Sequence, residues 1–145
     1  MIIIDYPEPV FRTKKERGKE FIFDAIRKNW LLLTEEEWVR QNFIHYLIRK
    51  HAYPMSLIAV EKEIHLGELK KRFDILVYDK KHQPWMLIEC KAGHVKLDEN
   101  VVQQLLRYHI PVPAAFLLIT NGHYTYGWEK LNTGLKEINQ MPLWI

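Results

Sequence analysis

Two apolar runs separated by a short polar gap constrain this chain more than any other feature. Arg72-Phe-Asp-Ile-Leu-Val-Tyr-Asp79 and Trp85-Met-Leu-Ile-Glu-Cys-Lys91 flank a gap centred on Lys80-Lys-His-Gln83. Folded as an antiparallel hairpin about that centre, the runs set Leu76 opposite Leu87, Ile75 opposite Ile88 and Val77 opposite Met86. The same register sets Tyr78 opposite Trp85, Phe73 opposite Cys90, Asp74 opposite Glu89 and Arg72 opposite Lys91. The pattern agrees with itself on both faces, so one register is specified. A hairpin that is apolar on both faces needs cover on both sides. Its charges gather at one end, where burying them without a purpose is expensive.

The flanking segments supply the cover. Thr34-Glu-Glu-Glu37 reads as a capping box, with Thr34 as N-cap and Glu37 at the third helical position. Val39, Phe43 and Leu47, with Ile44 and Ile48 beside them, continue a helical stripe that should end near His51, before Pro54. Ser56 to Leu66 reads as a strand, and Gly67 turns it into the hairpin. Asp98 is a candidate N-cap for a second helix through Val101, Val102, Leu105, Leu106 and Tyr108, stopping before Pro111. Ala114-Ala-Phe-Leu-Leu-Ile119 has the length of a strand buried on both faces. Asn121-Gly122 signals a hairpin whose returning strand is His123-Tyr-Thr-Tyr-Gly-Trp128. Phe21 to Leu33 predicts short strands or a hairpin around Arg27-Lys-Asn29. The expectation is an α/β fold, with a mixed central sheet of about five strands flanked by helices.

At 145 residues this is expected to be a single domain, 1–145. Residues 1–20 read as a basic N-terminal arm carrying Arg12, Lys14, Lys15, Arg17 and Lys19, either solvated or touching phosphate. Residues 21–128 form the core, and 129–145 a C-terminal tail whose Met141-Pro-Leu-Trp-Ile145 is a candidate apolar patch. No apolar run approaches the roughly 20 residues of a membrane span, and Met1-Ile-Ile-Ile lacks the features of a secretory signal. A single cysteine allows no internal disulfide, so a cytoplasmic setting is expected. The net charge of +3 permits a polyanionic partner without pointing to one.

The charged end of the hairpin carries the chemistry. Glu89 and Lys91 are two apart on a strand and leave the same face. Directly opposed residues have Cβ atoms about 4.5–5.5 Å apart, close enough for Asp74 and Glu89 to share one divalent cation. Oxygen ligands without a Cys or His pair favour Mg²⁺ or Mn²⁺ over Zn²⁺. Such a cation polarises a phosphoryl oxygen and acidifies a bound water, and a neighbouring lysine offsets developing charge. These residue types fit metal-assisted hydrolysis of a phosphodiester. From spacing alone, ordinary exposed ion pairs of Arg72 with Asp74 and Glu89 with Lys91 stand as an equal reading. Lys70, Lys71, Arg72, Lys96 and Arg107 flank the cluster as candidate phosphate contacts or plain solvated charges. Cys90 alternates away from Glu89 and Lys91 and reads as core. None of the seven histidines shows zinc spacing, and Trp38, Trp85 and Trp128 read as core.

Asp74, fourteen intervening residues and Glu89-Cys-Lys91 at the end of an apolar strand resemble the PD-(D/E)XK nuclease superfamily. More narrowly, the chain resembles the N-terminal nuclease domain of type I restriction enzyme R subunits. Glu36-Glu-Trp-Val-Arg-Gln41, Lys71-Arg-Phe-Asp74, Leu87-Ile-Glu-Cys-Lys-Ala92, Gln104-Leu-Leu-Arg-Tyr108 and Thr120-Asn-Gly122 carry that likeness, from about Phe21 to Trp128. The resemblance implies a restriction-endonuclease-like three-layer fold and a Mg²⁺-dependent DNA nuclease, its endo- or exonuclease mode left open, or a non-catalytic nucleic-acid-binding or partner-docking module on the same fold. It implies Asp74 and Glu89 as metal ligands and Lys91 as the lysine that orients water. Glu37 matches the first-helix glutamate that often joins the metal site, beside its capping role. Gln104 and Tyr108 match a Gln-X-X-X-Tyr motif, against the plainer reading of a polar helix boundary. Phe73 stands where the eponymous proline would be. No Gly-x-x-x-x-Gly-Lys-Ser/Thr loop occurs, so an ATP-driven motor would come from elsewhere. DNA, restriction-modification subunits or a separate helicase are the partners implied, and a homodimer is also admitted.

Overall fold

Thr34 and Asp98 start the two α-helices, and apart from a short 3-10 turn at Met55–Leu57 the rest of the fold is strand or loop. In the computed structural model, which describes all 145 residues, β1 (Thr13–Glu16), β2 (Lys19–Asp24) and β3 (Asn29–Leu32) come first. Helix α1 (Glu35–His51) is followed by β4 (Ile58–Leu66), β5 (Leu69–Tyr78) and β6 (Pro84–Cys90). Helix α2 (Glu99–His109) then leads to β7 (Phe116–Thr120), β8 (Thr125–Leu131) and β9 (Gly134–Ile138). The protein is α/β, with a six-stranded mixed sheet ordered β4-β5-β6-β7-β8-β9 and a separate three-stranded sheet β1-β2-β3. Only β6 and β7 run parallel, joined by the α2 crossover.

Both helices carry the predicted N-cap residue, but the Glu37 carboxylate turns to Arg27, Arg40 and Gln41 and does not close the capping box. The Thr34 hydroxyl accepts from Glu37 N–H at 3.0 Å, and the Asp98 carboxylate from Val101 N–H at 3.0 Å. Glu35, Glu36 and Glu37 in the first turn of α1, with Arg49, Lys50 and His51 in its last, complement the helix dipole. Val39, Phe43, Ile44 and Leu47 of α1 pack on Ile75, Val77, Met86, Ile88, Cys90 and Leu118 of the sheet. On the opposite face Leu106 of α2 packs with Leu76, Leu87, Leu117 and Ile119. Strands β5, β6 and β7 are thus buried on both sides, which is why their sequences are continuously apolar.

Three features differ from the sequence reading. The hairpin register holds at Ile75–Ile88, Leu76–Leu87 and Val77–Met86, but Tyr78 pairs with Pro84, not Trp85. The turn explains the slip: Asp79 accepts from Lys81 and Gln83 N–H at 2.8 and 3.0 Å, and His82 takes a φ of 59°. At the other end Phe73 pairs with Lys62 and Cys90 with Thr120, because β5 and β6 part after Ile75 and Ile88. Finally, the terminal segments are built into the fold. Thr13–Glu16 is a strand, Ile2 is buried with its N–H on Thr125 O at 2.8 Å, and β9 is a sixth strand beyond the expected five. In the tail Met141 is buried, Tyr53 Oη donates to Pro142 O at 2.6 Å and Trp144 Nε1 to Tyr78 O at 3.0 Å. Leu143 and Ile145 remain exposed. No helix is long and apolar enough to cross a membrane.

Candidate active site

Asp74 sits where the sheet opens. The β4–β5 ladder runs from Ile58–Val77 to Leu66–Leu69 and skips only Glu61 opposite Asp74. The β5–β6 ladder stops one residue short of the Asp74–Glu89 pair. Glu61 has a φ of 52°, which an L-residue with a Cβ adopts only at some cost, so the distortion is local and real. It also breaks the inside–outside alternation of β5. Phe73 joins the core under α2 while Ile75 joins the core under α1. Freed from the ladder, the Asp74 carboxylate takes over a backbone role: its Oδ2 accepts from Cys90 N–H at 2.8 Å. Its Oδ1 accepts from Arg40 Nη2 at 2.7 Å.

Glu89 and Lys91 leave the α2 face of β6 together, as strand alternation requires, and Lys91 N–H is anchored on Thr120 O at 2.8 Å. Lys91 Nζ is 3.7 Å from Glu89 Oε1, and His109 Nε2 is 3.6 Å from Glu89 Oε2. Both separations exceed hydrogen-bond length, so Glu89 keeps its oxygens free. Burial first, and then the Glu89 charge, push the Asp74 carboxyl above its ordinary range, against the pull of Cys90 N–H and Arg40. Two like charges in a half-buried cleft call for a proton or a cation between them. No three His, Cys, Asp or Glu side chains converge as a metal cage. The pair matches instead the habit of Mg²⁺, which takes one or two carboxylates and fills its shell with water and phosphate oxygens. Asp74 still has lone pairs to offer after its two hydrogen bonds.

The other candidates fall around this pair at different ranges. Glu37 is buried, and its carboxylate accepts from Arg40 Nη1 at 2.6 Å, Arg27 Nη2 at 3.0 Å and Gln41 Nε2 at 3.1 Å. It reaches Asp74 through Arg40, and only its backbone N–H serves the cap. Tyr108 lies against β5: its hydroxyl accepts from Arg72 N–H at 3.2 Å, and Lys71 Nζ stands 3.9 Å from its ring centroid. Gln104 is exposed one turn earlier. Arg72, Lys96, Arg107 and Lys70 are exposed, Lys71 is half-buried, and none of the five makes an ion pair, so all remain available to phosphate. Cys90 is fully buried and burial pushes its thiol well up, so it is a packing residue. Trp38, expected in the core, is 41% exposed and lines a cavity of about 900 Å³ with Tyr6, Glu35, His94 and Gly122. That cavity includes none of Asp74, Glu89 and Lys91.

Sequence reasoning missed Arg40, Arg27, Glu61 and His109. Arg40 had a legible signal, since it lies three residues after Glu37 on the same helical face. His109 had one too: three residues after Leu106, it turns into the sheet, where it is 2% exposed. Arg27 and Glu61 meet at 2.9 Å only through the fold, and nothing local announces them.

Residues 35–142, which hold α1, the whole six-stranded sheet and α2, match the family described as type I restriction enzyme R protein N terminus. The chain belongs to this family. No curated protein matches it. The family span includes Glu37, Asp74, Glu89, Lys91, Gln104 and Tyr108 and leaves β1–β3 outside.

Proposed function

We propose that this R-protein N-terminal domain is a Mg²⁺-dependent deoxyribonuclease of the PD-(D/E)XK type, with Mn²⁺ an acceptable substitute. The observation that carries the reading is the opening of the sheet at Asp74, opposite Glu89, with Lys91 on the same face as Glu89. Asp74 and Glu89 would hold the cation, and Glu37 would support it from behind Arg40. When bound, the ion supplies Lewis-acid activation of a phosphoryl oxygen and of the attacking water. Arg40 and Cys90 N–H fix the Asp74 carboxylate in one orientation before substrate arrives. Lys91, unpaired within hydrogen-bond range, can hold the water and offset charge on the phosphate. Gln104 and Tyr108 present α2 to the strand, and Arg72, Lys71, Lys96 and Arg107 meet its backbone. Family membership supports DNA as substrate and restriction-modification subunits or a separate helicase as partners, with a homodimer as another arrangement.

Incubating supercoiled and linear DNA with Mg²⁺ and with EDTA tests the reading. Cleavage is expected with Mg²⁺ alone, and Asp74→Ala or Lys91→Ala abolishes it in protein whose circular dichroism is unchanged. Cleavage surviving Asp74→Ala would sink the site. One observation favours a second reading, a non-catalytic docking module: Arg40 already satisfies Asp74 and Glu37 without a metal. Calorimetric titration with Mn²⁺ separates the two, because the module takes up no ion.

A further inference from the structure

The sheet β1–β3 precedes the residues matched by the family, and the nuclease site makes no use of its outer face. Its two faces differ sharply. Ile22 and Asp24 turn inward and are fully buried. On the outer face β2 presents Phe21 and Phe23, which pair with Leu32 and Trp30 of β3. On the other side Lys14 of β1 pairs with Phe21, and Phe23 N–H donates to Arg12 O at 2.9 Å. The outer face is therefore two cross-strand rows, Arg12–Phe23–Trp30 and Lys14–Phe21–Leu32. Arg12 Cζ lies 4.6 Å from the Phe23 centroid and 5.4 Å from that of Trp30; Lys14 Nζ lies 4.5 Å from Trp30. Phe23 and Trp30 meet edge to face at 5.4 Å. The three rings are half-buried and Leu32 is 48% exposed, so the rows stay open to solvent.

Charge follows the same element. Residues 12–32 hold seven Lys and Arg against three Asp and Glu, a surplus of four in a chain whose net charge is +3. The remaining residues are thus net negative by one. The sheet is also fixed relative to the carboxylates. Asp24 accepts from Ile26 N–H at 2.7 Å and from Arg27 N–H at 3.1 Å, and pairs with Arg27 Nε at 2.5 Å. Arg27 then bonds Glu37 and Glu61, both of which pair with Arg40, the partner of Asp74.

We infer that this face docks a stretch of nucleic acid with unpaired bases and holds that strand beside the carboxylates. Aromatic rings take any base that is free to stack, and cations lying over them meet the backbone. A duplex keeps its bases inside and uses only the cations. The choice of nucleic acid as occupant rests on the nuclease reading above.

The test is fluorescence anisotropy of the whole chain in EDTA, with a labelled oligothymidylate of about 16 nucleotides and a duplex of equal length. The single strand binds more tightly than the duplex. Trp30→Ala weakens the single strand about tenfold or more and the duplex much less. Arg12→Ala with Lys14→Ala, which leaves every ring in place, weakens both and keeps the unfolding midpoint, guarding against a collapsed sheet. Equal losses on both nucleic acids with Trp30→Ala, or single-strand binding unmoved by either variant, overturns the inference. Failure of the nuclease reading looks different: the strand is gripped in EDTA, yet no Mg²⁺-dependent cleavage follows.

Discussion

The Glu89 carboxylate makes no hydrogen bond in the cleft. Its oxygens stand 3.7 Å from Lys91 and 3.6 Å from His109, too far for a hydrogen bond to either. His109 Nδ1 donates to Leu105 O, which leaves Nε2 buried, facing Glu89 and without a partner. Replacing His109 by Leu therefore removes one net hydrogen bond, about 1 kcal/mol or less. The Glu89 carboxylate, proposed to hold the cation, nevertheless loses its polar neighbour on the α2 side. A hydrogen-bonded partner of a metal ligand is worth about 10–100-fold in affinity, and His109 stands just beyond hydrogen-bond length. The expected result for His109→Leu is a drop of about tenfold or less in Mn²⁺ affinity by calorimetry, with little change in the melting temperature. Unchanged affinity would make His109 a packing residue.

The element that sets this geometry is α2, which carries Tyr108 and His109 and joins the parallel strands β6 and β7. Its N-cap is a single bond from Val101 N–H to Asp98 at 3.0 Å. Asp98→Ala is expected to destabilise the protein by about 1 kcal/mol, lowering the melting temperature by about 2–4 °C and reducing cleavage with it. Elements like this were legible because their signals are local. Thr34 and Asp98 name the helix starts, continuous apolar runs name β5, β6 and β7, and the hairpin register follows from the period of a strand. Where the signal is tertiary, the sequence is silent. Leu135, Lys136 and Glu137 alternate too weakly to announce β9, which exists because β8 offers an edge. Phe73 changes faces because Glu61, twelve residues earlier, takes a left-handed φ. At the site the pairing of Arg40 with Glu37 was readable from helical spacing, whereas the end of the ladder short of Asp74 and Glu89 and the reach of Arg40 to Asp74 had no local signal.

At the scale of the molecule, the cleft makes stability depend on pH in an unusual direction. The Asp74 carboxyl is raised by burial and then by Glu89, so the folded protein holds its proton more tightly than the unfolded chain does. The stability it contributes is complete below the ordinary value of 3.8 and is lost as pH climbs through the raised one. On the proposed metal-dependent reading, a divalent cation would bind only the ionised cleft of the folded state and work against that loss. Thermal melts should therefore show Mg²⁺ raising the melting temperature more at neutral than at mildly acidic pH. Asp74→Asn should remove the difference. The rest of the molecule is fastened firmly enough for such melts to report on the cleft. Both terminal segments pack into the core beneath α1, where Ile2 lies so close to Gly127 that an added Cβ would meet it at 2.9 Å.

Glu61 bears on how such a protein can be improved. Its left-handed backbone is worth roughly 1 kcal/mol of strain, which glycine would relieve. A laboratory selection for heat resistance alone has reason to accept Glu61→Gly. The winner would keep the left-handed backbone but leave Arg27 without its 2.9 Å partner and Arg40 without its 3.5 Å one, loosening the ion pairs that reach Asp74. On the nuclease reading such a lineage would climb in melting temperature while cleavage fell, and the crossing of those two curves would measure what those ion pairs are kept for.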